Sequence, residues 1–479
     1  MNYYQILKIT GIILLIFSFF LLLPIAASMF YEENIIHFIY SFLIIFFFGL
    51  ITYLPNKEQK TQIKVREGFF IVALFWFILS FFGSLPFFMD ESLNLSFVDA
   101  VFESTSGWTT TGATIITNID DLNKPLLLYR QLLQWLGGIG IVVLVLAILP
   151  ILGVGGMYLY KAESSSPIKD NKLSPRITET AKSLWSVYIL LTITCAVMYK
   201  FAGMNYFDAV GHSFSTVSIG GFSTHNLSIG FYSNDLIKII CILFMFLSAL
   251  NFVLHFLFFK NRLLTTYTAN SEFKTFVSII IILFVLIFIF SLNGKLESIS
   301  NIDIIFQVFS FVTTSGFTTS NYSLWPSFII LLIFLSSFVG ACAGSAGGGM
   351  KVIRLTIALK SIKKQLLRVI HPKAELTIKV NHKKVDDTTV ETILSFIILY
   401  IAVFFISSIL IMVSGHDFVT SFSSAAACIN NLGPALGDAY GNYASLNSFS
   451  KVLLSLIMIV GRLEIYTFII LITRYFWKY

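Results

Sequence analysis

The chain has 479 residues, of which 56% are hydrophobic and only 12% charged, and 50 are phenylalanine. Soluble domains carry roughly 25% charge, so this composition excludes a soluble domain and points to an integral membrane protein. The formal charge of +7 is gathered in short loops between apolar runs, where it reads as an orientation signal and a docking surface, not as a nucleic-acid site.

In chain order, ten apolar runs approach the roughly 20 residues that a spanning helix needs. They fall at about 6–30, 36–54, 68–89, 126–158, 183–203, 235–259, 274–293, 326–369, 388–414 and 449–476, the eighth interrupted by glycines. The first passes directly into the second without a small-residue cleavage site, so it reads as a retained helix and not a signal peptide. Basic residues cluster at Lys57, Lys60, Lys64 and Arg66, at Lys161, Lys169, Lys172, Arg176 and Lys182, and at Lys260, Arg262 and Lys274; ten more lie within 351–384. The positive-inside rule makes these loops cytoplasmic. Both termini are then inside, and 31–35, 90–125, 204–234, 294–325 and 415–448 are outside. Cys195, Cys241, Cys342 and Cys428 show no metal-type spacing, which predicts neither a disulfide nor a zinc site.

Four of the outer segments share one layout: FVDAVFESTSGWTTTGAT from Phe97, YFDAVGHSFSTVSIGGFST from Tyr206, NIDIIFQVFSFVTTSGFTTS from Asn301 and FVTSFSSAAACINNLGPALG from Phe418. Asp99, Asp208, Asp303 and Thr420 each stand thirteen residues before a glycine: Gly112, Gly221, Gly316 and Gly433. Each copy lies between apolar runs, so the unit reads as helix, short helix, glycine-centred loop, helix. The residue that opens each short segment suits an N-cap; a charged ring of Asp99, Asp208 and Asp303 is the alternative. About thirteen helical residues span roughly 20 Å, so the short helix ends near mid-bilayer.

Non-helical backbone at that depth must line a cavity or be covered by protein. Four such loops around an axis make a ring of carbonyls able to replace a cation's hydration shell, and glycine removes the Cβ penalty of turning carbonyls inward. The candidate ion-binding residues are Thr110, Thr111 and Gly112; Ile219, Gly220 and Gly221; Thr314, Ser315 and Gly316; and Asn431, Leu432 and Gly433. Ser218, Thr313 and Asn430 beside them are polar, as suits a wet pore mouth.

GACAGSAGGGMK, from Gly340 to Lys351, interrupts the eighth run. Glycine costs about 1 kcal/mol within a helix relative to alanine, which predicts a loosened or broken helix there; close helix packing through Gly340 and Gly344 is the alternative. Arg462, inside the last apolar run, is expected to face a cavity or to pair with a carboxylate such as Glu464. The seven histidines form no metal-type pair, which speaks against a membrane metalloenzyme. No glycine-rich nucleotide fingerprint follows a strand.

The four loops, the run YRQLLQWLGGIGIVVL from Tyr129 and the closing GRLEIYT from Gly461 resemble the Trk/Ktr/HKT superfamily of potassium transporters, within it the TrkH-type membrane subunits of bacterial Trk systems. The resemblance covers essentially the whole chain. It implies an all-α integral membrane fold: two N-terminal transmembrane helices at 1–66, then helix–pore-loop–helix repeats at 67–182, 183–273, 274–386 and 387–479 around a central pore. About ten transmembrane helices and four half-membrane pore helices result. It also implies potassium uptake at the bacterial inner membrane, with K⁺ (Rb⁺ as analogue) at the filter, and an intramembrane gating loop at 340–351 carrying Gly344, Gly347, Gly348, Gly349 and Lys351. Arg462 becomes a pore arginine. The implied partners are membrane lipid, a second copy in a homodimer, and a cytosolic TrkA-like ring at 161–182 and 351–384 that binds NAD(H) or ATP/ADP; this chain itself holds no cofactor apart from K⁺. Ala435 departs from the second glycine that members often carry after the proline. A sodium-permeable or sodium-coupled member is the rival reading, and Gly112, where sodium-favouring relatives carry serine, leans toward potassium.

Overall fold

The computed structural model describes residues 1–59, 64–138, 140, 177–290, 299–374, 376–381 and 383–478. Helices dominate. The first part of the chain folds as α1 (Tyr3–Phe20), α2 (Leu22–Tyr31), α3 (Ile36–Tyr53), α4 (Val65–Gly83) and α5 (Leu85–Met89). Pro24 and Pro86 explain the breaks between α1 and α2 and between α4 and α5, since proline has no amide to continue the ladder.

Four short helices follow at intervals: α6 (Phe97–Trp108), α9 (Tyr206–Val217), α13 (Asn301–Thr313) and α17 (Phe418–Ile429). Between them lie α7 (Lys124–Gly138), α8 (Ile177–Phe201), α10 (Asp235–Ala249), α11 (Phe252–Asn261), α12 (Ser271–Phe290), α14 (Ser327–Val339), α15 (Val352–Ile370) and α16 (Asp387–Val413). The chain closes with α18 (Ser448–Arg462), α19 (Tyr466–Ile472) and α20 (Arg474–Lys478). A hairpin of β1 (Lys379–Val380) and β2 (Lys383–Lys384) joins α15 to α16.

Among the described residues six helical stretches are long and apolar enough to cross a membrane, or eight if each of two bent pairs is one span. The sequence suggested straight spans at 235–259 and 449–476. Instead α10 and α11 meet at 95°, and α18 and α19 at 115°. Leu250 is extended and the Asn251 side chain caps Val253, which ends one helix and starts another. At the second bend Glu464 and Ile465 take positive φ. The run at 126–158 begins as α7, and its continuation lies outside the described residues. The eighth run is interrupted at 340–351, between α14 and α15.

The short helices begin earlier than expected. Ser96, Asn205, Ser300 and Asp417 are the N-caps, not Asp99, Asp208, Asp303 and Thr420, which occupy the third helical position. Ser96, Asn205 and Asp417 accept the amides of Asp99, Asp208 and Thr420 at 3.2, 2.7 and 3.3 Å. An acid one turn into a helix still favours its positive end, so composition alone did not separate the two positions.

Candidate functional site

Each short helix ends in the same way. The amides of Thr110, Ile219, Thr314 and Asn431 bond three residues back, to Gly107, Thr216, Phe311 and Cys428; the next amides, of Thr111, Gly220, Ser315 and Leu432, reach five back, to Ser106, Ser215, Ser310 and Ala427, at 2.8–2.9 Å. This six-to-one closure needs a left-handed residue at the end of the helix. Thr110, Ile219, Thr314 and Asn431 supply it at φ 56°, 57°, 64° and 52°. The glycines two residues on, Gly112, Gly221, Gly316 and Gly433, are also left-handed, at 81°, 80°, 79° and 92°.

These glycines form a closed ring. A Cβ on Gly112 would lie within 2.5 Å of Gly220 O, one on Gly221 equally near Ser315 O, one on Gly316 near Leu432 O, and one on Gly433 near Thr111 O. Each glycine thus abuts the carbonyl that precedes the next glycine, and the fourth returns to the first. The twelve candidate residues therefore come together around one centre.

Of their polar side chains, Thr111 and Asn431 bond to each other across adjacent loops, while Ser315 Oγ and Asn431 Oδ1 are buried without a hydrogen-bond partner among the described residues. Thr111 Oγ1 bonds Thr109 Oγ1 at 2.7 Å and accepts Asn431 Nδ2 at 3.0 Å; the same amide reaches Met458 O. Asn430 donates to Ser337 and accepts from Tyr400. Thr110, Ser218, Thr313 and Thr314 are likewise buried, so the wet-mouth expectation for them is corrected: tight packing of four loops leaves them no solvent.

Helices behind the ring complete it. Gln134 of α7 donates to Gly220 O at 2.6 Å and accepts from Phe222 N at 3.0 Å, which pins the second loop. Arg130, four residues earlier, is fully buried and pairs with Glu103 at 2.8 Å while also donating to Ser223 O and Thr114 Oγ1. The fourth loop is held by Tyr443, which donates its hydroxyl to Gly433 O, and by Tyr322, which donates to Ala435 O, both at 2.7 Å. Ala435 occupies the place taken by the hydroxyl-bearing Thr114, Ser223 and Thr318 in the other loops. Sequence reasoning missed these braces, although three polar residues, Arg130, Gln131 and Gln134, within one apolar helix were a usable signal.

Segment 340–351 is non-helical and lies against the ring. Gly348 N donates to Thr314 Oγ1 at 2.7 Å and Gly349 N to Asn430 O at 3.1 Å. There is no room for a Cβ between Gly348 and Asn430 O or between Gly347 and Thr313 O. Gly344 approaches the Asn251 side chain, and Phe252 N donates to Gly344 O at 3.0 Å. The helix-packing alternative for Gly340 and Gly344 therefore fails, because neither is in a helix. Lys351 donates to Gly347 O. Arg462 donates to Ala346 O at 2.9 Å and to Gly137 O at 3.0 Å, tying the segment to α7. Glu464 pairs with Arg354, not with Arg462.

The opening acids are spoken for. Asp99 pairs with Lys451 at 2.7 Å and Asp303 with Lys238 at 3.0 Å. Asp208 receives Thr224, Tyr232 and His225. They do not form a charged ring. His225 also meets Asp120 at 2.8 Å; partial burial pulls the imidazole down, but the two carboxylates outweigh it and hold the pKa above its ordinary value.

The family model described as TrkH, cation transport protein, matches residues 34–477. The chain belongs to the TrkH family. It is a cation transporter of all-α, multi-pass membrane architecture and not an enzyme. A Trk system potassium uptake protein TrkH of Halomonas elongata is 46% identical over the full length of both chains, and one of Escherichia coli K12 is 43% identical over the same extent. The crystal structure of the potassium transporter TrkH from Vibrio parahaemolyticus is similar throughout, at a TM-score of 0.90 and 41% identity, covering 100% of both chains. Within this TrkH fold, the glycine ring brings together non-helical backbone from four separate stretches of the chain, and segment 340–351 packs against two of them, the third and fourth loops.

Proposed function

We propose that this chain takes up potassium across the bacterial inner membrane through the ring of four loops. The observation that carries the reading is the closed circuit of glycine contacts from Gly112 through Gly221 and Gly316 to Gly433 and back. Two left-handed residues flanking one of negative φ turn successive amides to one side and carbonyls to the other. In this reading the loop carbonyls other than Gly220 O and Gly433 O, which accept from Gln134 and Tyr443, replace the hydration shell of K⁺. The filter comprises residues 110–112, 219–221, 314–316 and 431–433, within repeats at 67–182, 183–273, 274–386 and 387–479 that follow an N-terminal helix unit at 1–66. The potassium uptake named for the similar proteins supports the ion, as does glycine at Gly112.

Segment 340–351, with Gly344, Gly347, Gly348, Gly349 and Lys351, is the gate, and Arg462 raises the barrier to cations beneath the filter. The basic loops orient both termini to the cytoplasm. The chain works as a homodimer, and a cytosolic TrkA-like subunit carrying the nucleotide docks on 351–384 and on 161–182, most of which lies outside the described residues. Flux of K⁺, Rb⁺, Na⁺ and Li⁺ into proteoliposomes of the purified protein tests the reading. Preferred passage of K⁺ and Rb⁺ is the expected result. Equal Na⁺ passage favours the sodium-permeable alternative, and no flux of any cation, even with Arg462→Ala, overturns the pore.

A further inference from the structure

Glu272 opens α12 yet is only 6% exposed, and a buried carboxylate is costly unless it is hydrogen-bonded or paired. Its Oε1 accepts the amide of Ala343 at 2.7 Å, inside segment 340–351. Lys351 at the end of that segment and Arg354 in the first turn of α15 bring positive charge to the same place. None of the filter braces involves Glu272; its carboxylate is held by the Ala343 amide with the Ile353 amide of α15 beside it, and its own amide donates to Asn270 Oδ1.

The same corner is fastened from the hairpin. Ser271, beside Glu272, donates its amide and hydroxyl to Asn381 Oδ1 at 2.7 and 2.8 Å, and Asn381 is the first residue of the turn between β1 and β2, at φ 48°. Ala343 also packs in a small apolar cluster, apart from the main cores, that contains Ile353, Ile378, Val380 and Val385. One residue of the segment, Ala343, is therefore held by the Glu272 carboxylate and packs in a cluster to which the hairpin contributes Val380. A non-helical segment has no ladder of its own to hold its shape, so such outside grips set where it lies.

We propose that Glu272 is a positioning residue for cation flux: it latches segment 340–351 against the filter loops, and the β1–β2 hairpin is the handle that acts on this latch. The proposal rests on the reading of 340–351 as the gate. A force that displaces the hairpin withdraws Asn381 from Ser271 and the hairpin's side chains from that cluster, leaving the Glu272 bond and the cluster residues of α15 and α16, Ile353, Ile357, Val390 and Ile393, to restrain Ala343.

Cys342 provides a direct readout, because it neighbours Ala343, is buried and is free, as are the other three cysteines. Wild-type protein, Glu272→Ala, Glu272→Gln and Asn381→Ala are reconstituted in proteoliposomes; Rb⁺ flux is recorded, and labelling of Cys342 by a small methanethiosulfonate is followed by mass spectrometry. Loss of a buried bond to a carboxylate raises both quantities about tenfold or more in Glu272→Ala. Glu272→Gln, whose amide oxygen still accepts the Ala343 amide, restores most of the protection, and Asn381→Ala shifts both readouts the same way by about threefold. Wild-type labelling and flux in Glu272→Ala overturn the latch, as does equal labelling of Gln and Ala variants. Should Glu272→Ala expose all four cysteines through misfolding, Asn381→Ala decides: no change in it overturns the proposal. Increased Cys342 labelling without increased flux in any variant, Arg462→Ala included, refutes the gate reading instead and leaves the Glu272 contact standing.

Discussion

Serine in place of Gly112 perturbs the ring at a contact between two loops. Gly112 lies at φ 81°, and a Cβ there would come within 2.5 Å of Gly220 O; restoring van der Waals distance requires the two loops to part by about 1 Å. The left-handed backbone alone costs a residue with a Cβ about 1–2 kcal/mol. Gly220 O also accepts Gln134 Nε2 at 2.6 Å, and disturbing that buried bond adds about 1–3 kcal/mol. Together the strain is roughly 2–5 kcal/mol, placed on two neighbouring walls of the filter. Since about 1.4 kcal/mol is a factor of ten, Gly112→Ser is expected to lower the preference for Rb⁺ over Na⁺ at least tenfold. The assay is Rb⁺ uptake into proteoliposomes against rising Na⁺. Gly112→Ala separates the hydroxyl from the Cβ, and Gly203→Ser is the control: at φ 108° with nothing within 4 Å of a Cβ, it carries backbone strain without a neighbour. An unchanged ratio in Gly112→Ser at normal protein level, or equal erosion in Gly203→Ser, refutes the reasoning.

Arg462→Ala removes the link between Ala346 O and Gly137 O together with a fixed positive charge, and is expected to raise Rb⁺ flux several-fold, about 1 kcal/mol in barrier; unchanged or lower flux at normal protein level counts against the role given to it. Lys451→Met strands the partly exposed Asp99 carboxylate and should cost about 1–2 kcal/mol of stability. Asp99→Asn in the same protein should recover part of it, and additive losses in thermal unfolding would sink the pairing. The raised pKa of His225 means that folding favours its protonated form: that contribution is complete below about pH 6.5 and fades as pH rises through the raised value. His225→Gln should therefore flatten the fall in Tm of the detergent-solubilised protein between about pH 6 and pH 9, and parallel Tm profiles for the two proteins would exclude the coupling.

Much of the site was legible because it depends on neighbours in sequence. A helix end, a left-handed residue and a glycine are set by bonds spanning three to five residues, so the interval from Asp99 to Gly112, repeated three times more, marks the loops. The break at 340–351 was legible for the same reason, since glycines weaken a helix wherever it is packed. The caps were misplaced by one turn because Ser96 and Asp99 are both acceptable at a helix start, and only the observed bond from the Asp99 amide to Ser96 Oγ distinguishes them. The bends at 250–251 and 463–465 escaped notice because Leu250, Glu464 and Ile465 carry no breaker signature; their backbone is imposed by what packs on them.

By itself the sequence determined the membrane class, the repeated loop and the glycine in each, because hydropathy and short-range backbone sterics act along the chain. Only the tertiary structure decided that Gly112 meets Gly220, that Gly433 closes on Thr111, that Gln134 pins the second loop and that Glu272 reaches Ala343. Those contacts join residues far apart in sequence, and their partners are selected by packing and by the need to satisfy buried polar groups, neither of which a local pattern encodes.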